Sequence, residues 1–208
     1  MDDRLQAFEK LTPEERRQLL YLARQALQAC VCGEKLAPLD LDRLQDRLRE
    51  PGASFVTLAS QGALRGCIGA LEPVLPLAED VRLHTIAAAL QDYRFPPVCP
   101  EELPEITIEI SRLTRPSPLK YDRPEDLARC LRAGVDGVVL VDGVKRSTFL
   151  PQVWSKIPTP EDFLGHLCLK MGADPDLWRR RKLQVYTYRV EEFCEKSAGG
   201  PLEATKSG

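Results

Sequence analysis

Two periodicities divide this chain. Apolar residues recur three and four apart at Leu19, Leu20, Ala23, Ala26, Leu27 and Cys30, which is the stripe of a helix with one buried face. Thr12-Pro13-Glu14-Glu15 opens that helix. Thr12 can cap it, Pro13 suits the first helical position, and Glu15 completes a capping box. Gly33 ends it. A second helix is predicted over 76–91, with Leu77, Val81 and Ala88 on its buried stripe. Thr159-Pro160-Glu161-Asp162 caps a third, running to about Met171 with Gly172 as its stop. Short helices are expected at 41–48, 124–131 and 174–181.

Elsewhere the period shortens to two. Residues 54–60 read as a strand, Gln61-Gly62 as a turn, and 63–71 as the returning strand of a hairpin. Ile106, Ile108 and Ile110 alternate within a strand over 105–113. Residues 137–141 and 144–150 flank Asp142-Gly143 and form the clearest hairpin. A final strand is expected over 182–190. The order α-ββ-α-β-α-ββ-α-α-β has hairpins without regular βαβ alternation. It predicts an α+β fold, a mostly antiparallel sheet flanked by helices, rather than a Rossmann or barrel fold. Residues 1–11 read as a loose lead and 195–208 as a disordered tail.

Composition narrows the function classes. The chain has 208 residues and a net charge of −2, so neither nucleic acid nor an anionic membrane is indicated as a partner. No apolar run approaches the ~20 residues of a bilayer span. Met1-Asp2-Asp3-Arg4 is too polar for a secretory signal. Seven cysteines, scattered and without CxxC spacing, indicate free thiols in a reducing cytoplasm. With only two histidines a structural zinc site of the usual type is not expected. Phosphate-binding, zinc-protease and serine-elbow motifs are absent, so no cofactor and no metal is called.

The segment Leu64-Arg65-Gly66-Cys67-Ile68-Gly69 stands out. Two glycines in a strand need a reason, commonly the close approach of another backbone or a ligand. Simple alternation puts Arg65, Cys67 and Gly69 on one face. A cation beside a thiol favours thiolate, which makes Cys67 a candidate nucleophile; a small buried packing residue is the alternative. In Asp92-Tyr93-Arg94-Phe95-Pro96-Pro97, Arg94 can clamp an anion and Asp92 can orient it or act as an acid or base. A local ion pair pinning the loop is the alternative. Glu109 faces away from the core side of its strand, toward solvent or a cleft. In Leu150-Pro151-Gln152-Val153-Trp154 the proline fixes a turn that presents the Gln152 amide. The expectation is that these motifs converge on one cleft, with Arg65, Gly66, Gly69, Arg94, Glu109 and Gln152 binding substrate and Cys67 and Asp92 performing chemistry.

The ordered set Leu64-Arg65-Gly66-Cys67-Ile68-Gly69, Asp92-x-Arg94-Phe95-Pro96-Pro97, Ile108-Glu109-Ile110-Ser111 and Leu150-Pro151-Gln152-Val153 resembles the AMMECR-type family, in the bacterial form called AmmeMemoRadiSam system protein A. The resemblance covers roughly 13–194. It implies a single domain of two lobes, the larger formed by N- and C-terminal parts and the smaller inserted. It also implies a Memo-like protein and a radical-SAM protein as partners in a modification pathway, and supplies no reaction. A non-catalytic scaffold or peptide-binding module is the other function class. The chain departs from the family pattern at Tyr93, where proline is usual, at His84, where asparagine is common, and at Asp136, which replaces a frequent histidine. Lys170-Met171-Gly172-Ala173 is a loose version of a further family motif.

Overall fold

The computed structural model describes residues 9–195. Helix α1 (Pro13–Val31) begins as the sequence predicts: the Thr12 hydroxyl accepts from the Glu15 amide, and the Glu15 carboxylate accepts from the Thr12 amide at 2.7 Å. Leu11, assigned to the loose lead, is buried at 2% exposure instead. An apolar residue just ahead of the cap packs down when its neighbours fix the chain's entry angle. Short helix α2 (Asp46–Arg49) precedes the hairpin of β1 (Ala53–Ser60) and β2 (Ala63–Gly69). Helix α3 (Leu77–Leu90) and strand β3 (Ile106–Leu113) follow.

Next come β4 (Ser117–Pro118), α4 (Leu127–Cys130), the hairpin β5 (Gly137–Asp142) and β6 (Lys145–Phe149), α5 (Pro160–Lys170), α6 (Leu177–Arg180), β7 (Gln184–Tyr188) and β8 (Val190–Cys194). The fold is α+β with mostly antiparallel sheets flanked by helices, as the element order predicts. The single final strand expected over 182–190 is two strands that enter different sheets.

The described chain forms two compact units. One comprises residues 10–112 and 192–195. Its sheet runs β2-β1-β3-β8. Val56, Leu58, Ile106, Ile108 and Ile110 join the helices in its core. Helix α3 packs on β1, β2 and α1. The Arg24 guanidinium ties α1 to Glu195, and Glu195 in turn accepts from the Ile108 amide at 3.0 Å.

The other unit, residue 9 with residues 113–191, carries the sheet β4-β7-β5-β6. Its core includes Phe163, Leu164, Leu167 and Trp178. Trp154 stacks on Phe163 with ring centroids 3.7 Å apart, and its indole N–H donates to the Asp136 carbonyl at 2.7 Å. Asp136, where the resemblance leads one to expect histidine, is buried and pairs with Arg132 at 2.6 Å.

Candidate functional site

Strand β2 lies at the edge of its sheet, and an edge strand exposes unpaired N–H and C=O groups. At Cys67 both are taken by side chains. The Cys67 amide donates to Asp92 Oδ2 at 2.8 Å, and its carbonyl accepts from Arg94 Nη2 at 3.1 Å. Arg94 also grips the same carboxylate through Nε at 2.9 Å and Nη2 at 2.6 Å. The Asp92–Arg94 pair therefore substitutes for a strand along one residue of β2. Asp92 is 4% exposed. The Arg94 guanidinium, then the Cys67 and Arg94 amides, hold its carboxyl well below the usual carboxylate range, against the opposing effect of burial. A carboxylate held by donors in this way stays ionised at neutral pH.

Because the Cys67 backbone faces away from β1, its cross-strand partner Thr57 stands opposite it as a non-hydrogen-bonded pair, in which side chains approach closely. The Thr57 hydroxyl donates to Cys67 Sγ at 3.3 Å. The thiol is half-buried. Among the described residues Arg94 makes no hydrogen bond through Nη1, and its side chain is 44% exposed. Its proton affinity is raised first by Asp92, and Cys67 and Tyr93 add to the effect.

Arg65 behaves differently from the simple alternation. Leu58 pairs with Gly66 while Ala59 pairs with Leu64, so Arg65 is the extra residue of a β-bulge. A bulge breaks the two-residue period, so simple alternation does not carry from Arg65 to Cys67. Its guanidinium instead forks onto Glu102 at 2.6 and 3.0 Å and donates to the Pro96 and Pro97 carbonyls at 2.9 and 3.2 Å. The Glu102 carboxyl is lowered to about 2, chiefly by Arg65. Arg65 and Arg94 thus fasten one loop to one strand from two points. Glu102 carries no motif signal, and only the fold brings it to Arg65.

The two glycines are filled by protein. A Cβ on Gly66 would lie 2.2 Å from the Ala88 carbonyl oxygen, and one on Gly69 would lie 2.4 Å from the Ser54 carbonyl oxygen and the Phe55 ring. The close approach that a strand glycine signals is, at Gly66, the backbone of α3.

Glu109 is half-buried on β3, which β1 separates from β2. It sits with Glu192, whose carboxyl is raised by desolvation and then by the Glu109 charge. Gln152 belongs to the other unit, exposed on the one-turn helix Pro151–Ser155. Within its unit the structure thus gathers Arg65, Gly66, Cys67, Asp92 and Arg94 around one loop and one strand. Sequence reasoning missed a buried polar cluster nearby in the chain: Asp80 accepts from Ser54 at 2.6 Å and lies 3.2 Å from His84 Nδ1. The signal available was an Asp four residues before a His on one helix.

Comparison with known proteins gives the chain its family. Residues 20–193 match AMMECR1. The chain belongs to the AMMECR1 family. A relative from Methanothermobacter thermautotrophicus is 40% identical over 189 residues, covering 90% of this chain and 98% of its own length. One from Thermofilum pendens is 38% identical, covering 93% and 95%. The crystal structure of an uncharacterized protein, PH0010, from Pyrococcus horikoshii is similar with a TM-score of 0.81 and 34% identity, over 94% of this chain and 98% of that one. No helix among the described residues is long and apolar enough to cross a membrane.

Proposed function

We propose that this AMMECR1-family chain is a component of a modification pathway and receives its substrate or ligand at Cys67. The partners implied by the resemblance are a Memo-like protein and a radical-SAM protein. The supporting observation is the clip. Cys67 is held by its backbone from one side, its sulfur is half-buried beside the Thr57 hydroxyl, and the Arg94 side chain is partly exposed, with no hydrogen bond through Nη1 among the described residues. A fixed thiol with a hydroxyl donor and a free pair of guanidinium N–H groups suits a substrate that carries an anionic group next to its reacting centre. Asp92 and Gly66 serve as positioning residues in this reading, and Arg65 orders the loop that carries Arg94.

Brief iodoacetamide treatment of the folded protein near neutral pH, followed by peptide mapping, tests it. Cys67 is expected to label faster than the exposed Cys32 and Cys99. Equal or slower labelling at Cys67 ends the nucleophile reading.

A second reading, a non-catalytic binding module, is favoured by one observation. Among the described residues the hydrogen-bond partner of Cys67 Sγ is a hydroxyl, not a base, and Asp92 is already saturated. Under it, Cys67→Ser retains binding of a Memo-like partner while Arg94→Ala loses it.

A further inference from the structure

The second unit holds a groove that none of the motifs reaches. Strand β4 pairs with β7 only at Ser117 with Thr187 and Pro118 with Tyr186. The antiparallel track nevertheless continues. The Leu119 amide donates to the Val185 carbonyl at 2.8 Å. The Tyr121 hydroxyl then donates to the Leu183 carbonyl at 2.7 Å and accepts from the Leu183 amide at 2.8 Å. Alternation sends Leu119, Tyr121, Leu183 and Val185 into the core. The residues between them, Lys120, Asp122, Lys182, Gln184 and Tyr186, line a groove of ≈ 570 Å³ with Pro118.

Most of the groove's polar groups are not spent on the protein. The side chains of Lys120, Asp122, Gln184 and Tyr186 make no hydrogen bond or ion pair among the described residues. The Lys182 ammonium has the Tyr121 ring, 5.5 Å from its centroid. Continuing the register places Asp122 across from Lys182, yet the two form no ion pair. With two lysines against one aspartate in its lining, the groove is net cationic. It also offers a half-buried phenol ring, a proline ring and a free amide. A concave surface of a few hundred Å³ that combines ring faces with uncommitted polar side chains has the size to take a small molecule.

We propose that this groove binds a small anion carried on a flat ring, of the aryl phosphate or mononucleotide class. The anionic group lies between Lys120 and Lys182, the ring lies against Tyr186 and Pro118, and the Gln184 amide is free to read a polar edge of the ring.

The test is titration of the full chain with phenyl phosphate and, separately, inorganic phosphate, by calorimetry or ligand-observed NMR. Phenyl phosphate is expected to bind saturably, about tenfold tighter than inorganic phosphate. Lys120→Ala with Lys182→Ala together should weaken phenyl phosphate about tenfold or more, and Tyr186→Leu should remove its advantage over phosphate. Absence of saturable binding, or equal affinity in the double lysine variant, overturns the site. Equal affinity for the two probes in the unaltered protein overturns the assignment of a ring-bearing ligand.

Discussion

Asp92 Oδ2 lies 2.8 Å from the amide nitrogen of Cys67, and the same carboxylate holds Arg94, which returns to the Cys67 carbonyl. Two residues of a loop thereby complete the hydrogen bonding of one residue on an edge strand. This closes the strand to pairing by another chain at that point, and it fixes the backbone from which the thiol projects.

The clip has a pH signature. The Asp92 carboxyl is depressed in the folded state, so it contributes stability that is fully present above the unfolded value, near 3.9, and lost as pH falls below it. Asp92→Asn should cost about 1–3 kcal/mol at neutral pH. It should also flatten the acid limb of the stability profile. Urea unfolding at pH 7 and pH 3 checks this: the gap between the unaltered protein and the variant should narrow at pH 3. A gap that stays constant would show that Asp92 is not the titrating group.

Glu102 should control a thiol other than Cys67. The Cys99 Sγ donates to Glu102 at 3.2 Å, and that carboxylate, with Glu101 behind it, pushes the Cys99 thiol above its ordinary value. Removing the charge by Glu102→Gln should increase the thiolate fraction at Cys99 and speed its alkylation at pH 8. Peptide mapping with Cys32 as internal reference measures the change. An unchanged Cys99 rate would break the link.

These contacts explain what the chain's pattern discloses. The Thr12 capping box, the α3 stripe and both hairpins are local, and local signals survive folding unchanged. The strand after Arg181 alternates without interruption, so nothing in its pattern marks the break at Arg189 where β7 and β8 part to different sheets. The bulge at Arg65 depends on how β1 pairs, and a one-residue slip leaves no trace in composition. Glycine at position 66 signals a close approach, but the α3 backbone that makes it lies more than twenty residues downstream. The spacing within Asp92-x-Arg94 shows a possible ion pair; the Cys67 amide that gives the pair its purpose belongs to another element.

Tyr121 plays for β7 the part that Asp92 and Arg94 play for β2. Its hydroxyl both donates to and accepts from the Leu183 backbone. Tyr121→Phe keeps the ring and leaves a largely buried N–H and C=O without their partner. The expected cost is about 1–3 kcal/mol, read as a lower urea midpoint with unchanged slope. Hydrogen exchange at the Leu183 amide should accelerate. A variant as stable as the parent, with that amide still protected, would mean water replaces the phenol at no cost.

Two glycine-to-alanine changes should have opposite signs, and the contrast separates packing from backbone freedom. Neither Gly66 nor Gly165 has a positive φ, so neither is kept for a left-handed conformation. At Gly66 the new methyl would meet the Ala88 carbonyl oxygen at 2.2 Å. That atom belongs to a helix backbone and cannot rotate aside, so α3 would have to lift from β2. Overpacking of this kind costs about 3 kcal/mol, which outweighs the roughly 0.5–1 kcal/mol that a strand gains on losing a glycine. At Gly165, inside α5, the nearest atom is the Pro175 carbonyl oxygen at 3.6 Å, an ordinary contact. There the helix should gain up to about 1 kcal/mol from alanine's better propensity. Denaturant unfolding of both variants decides it. If Gly66→Ala were as stable as the parent, α3 would not be seated on β2 as described, and the space at that glycine would be open to a ligand instead.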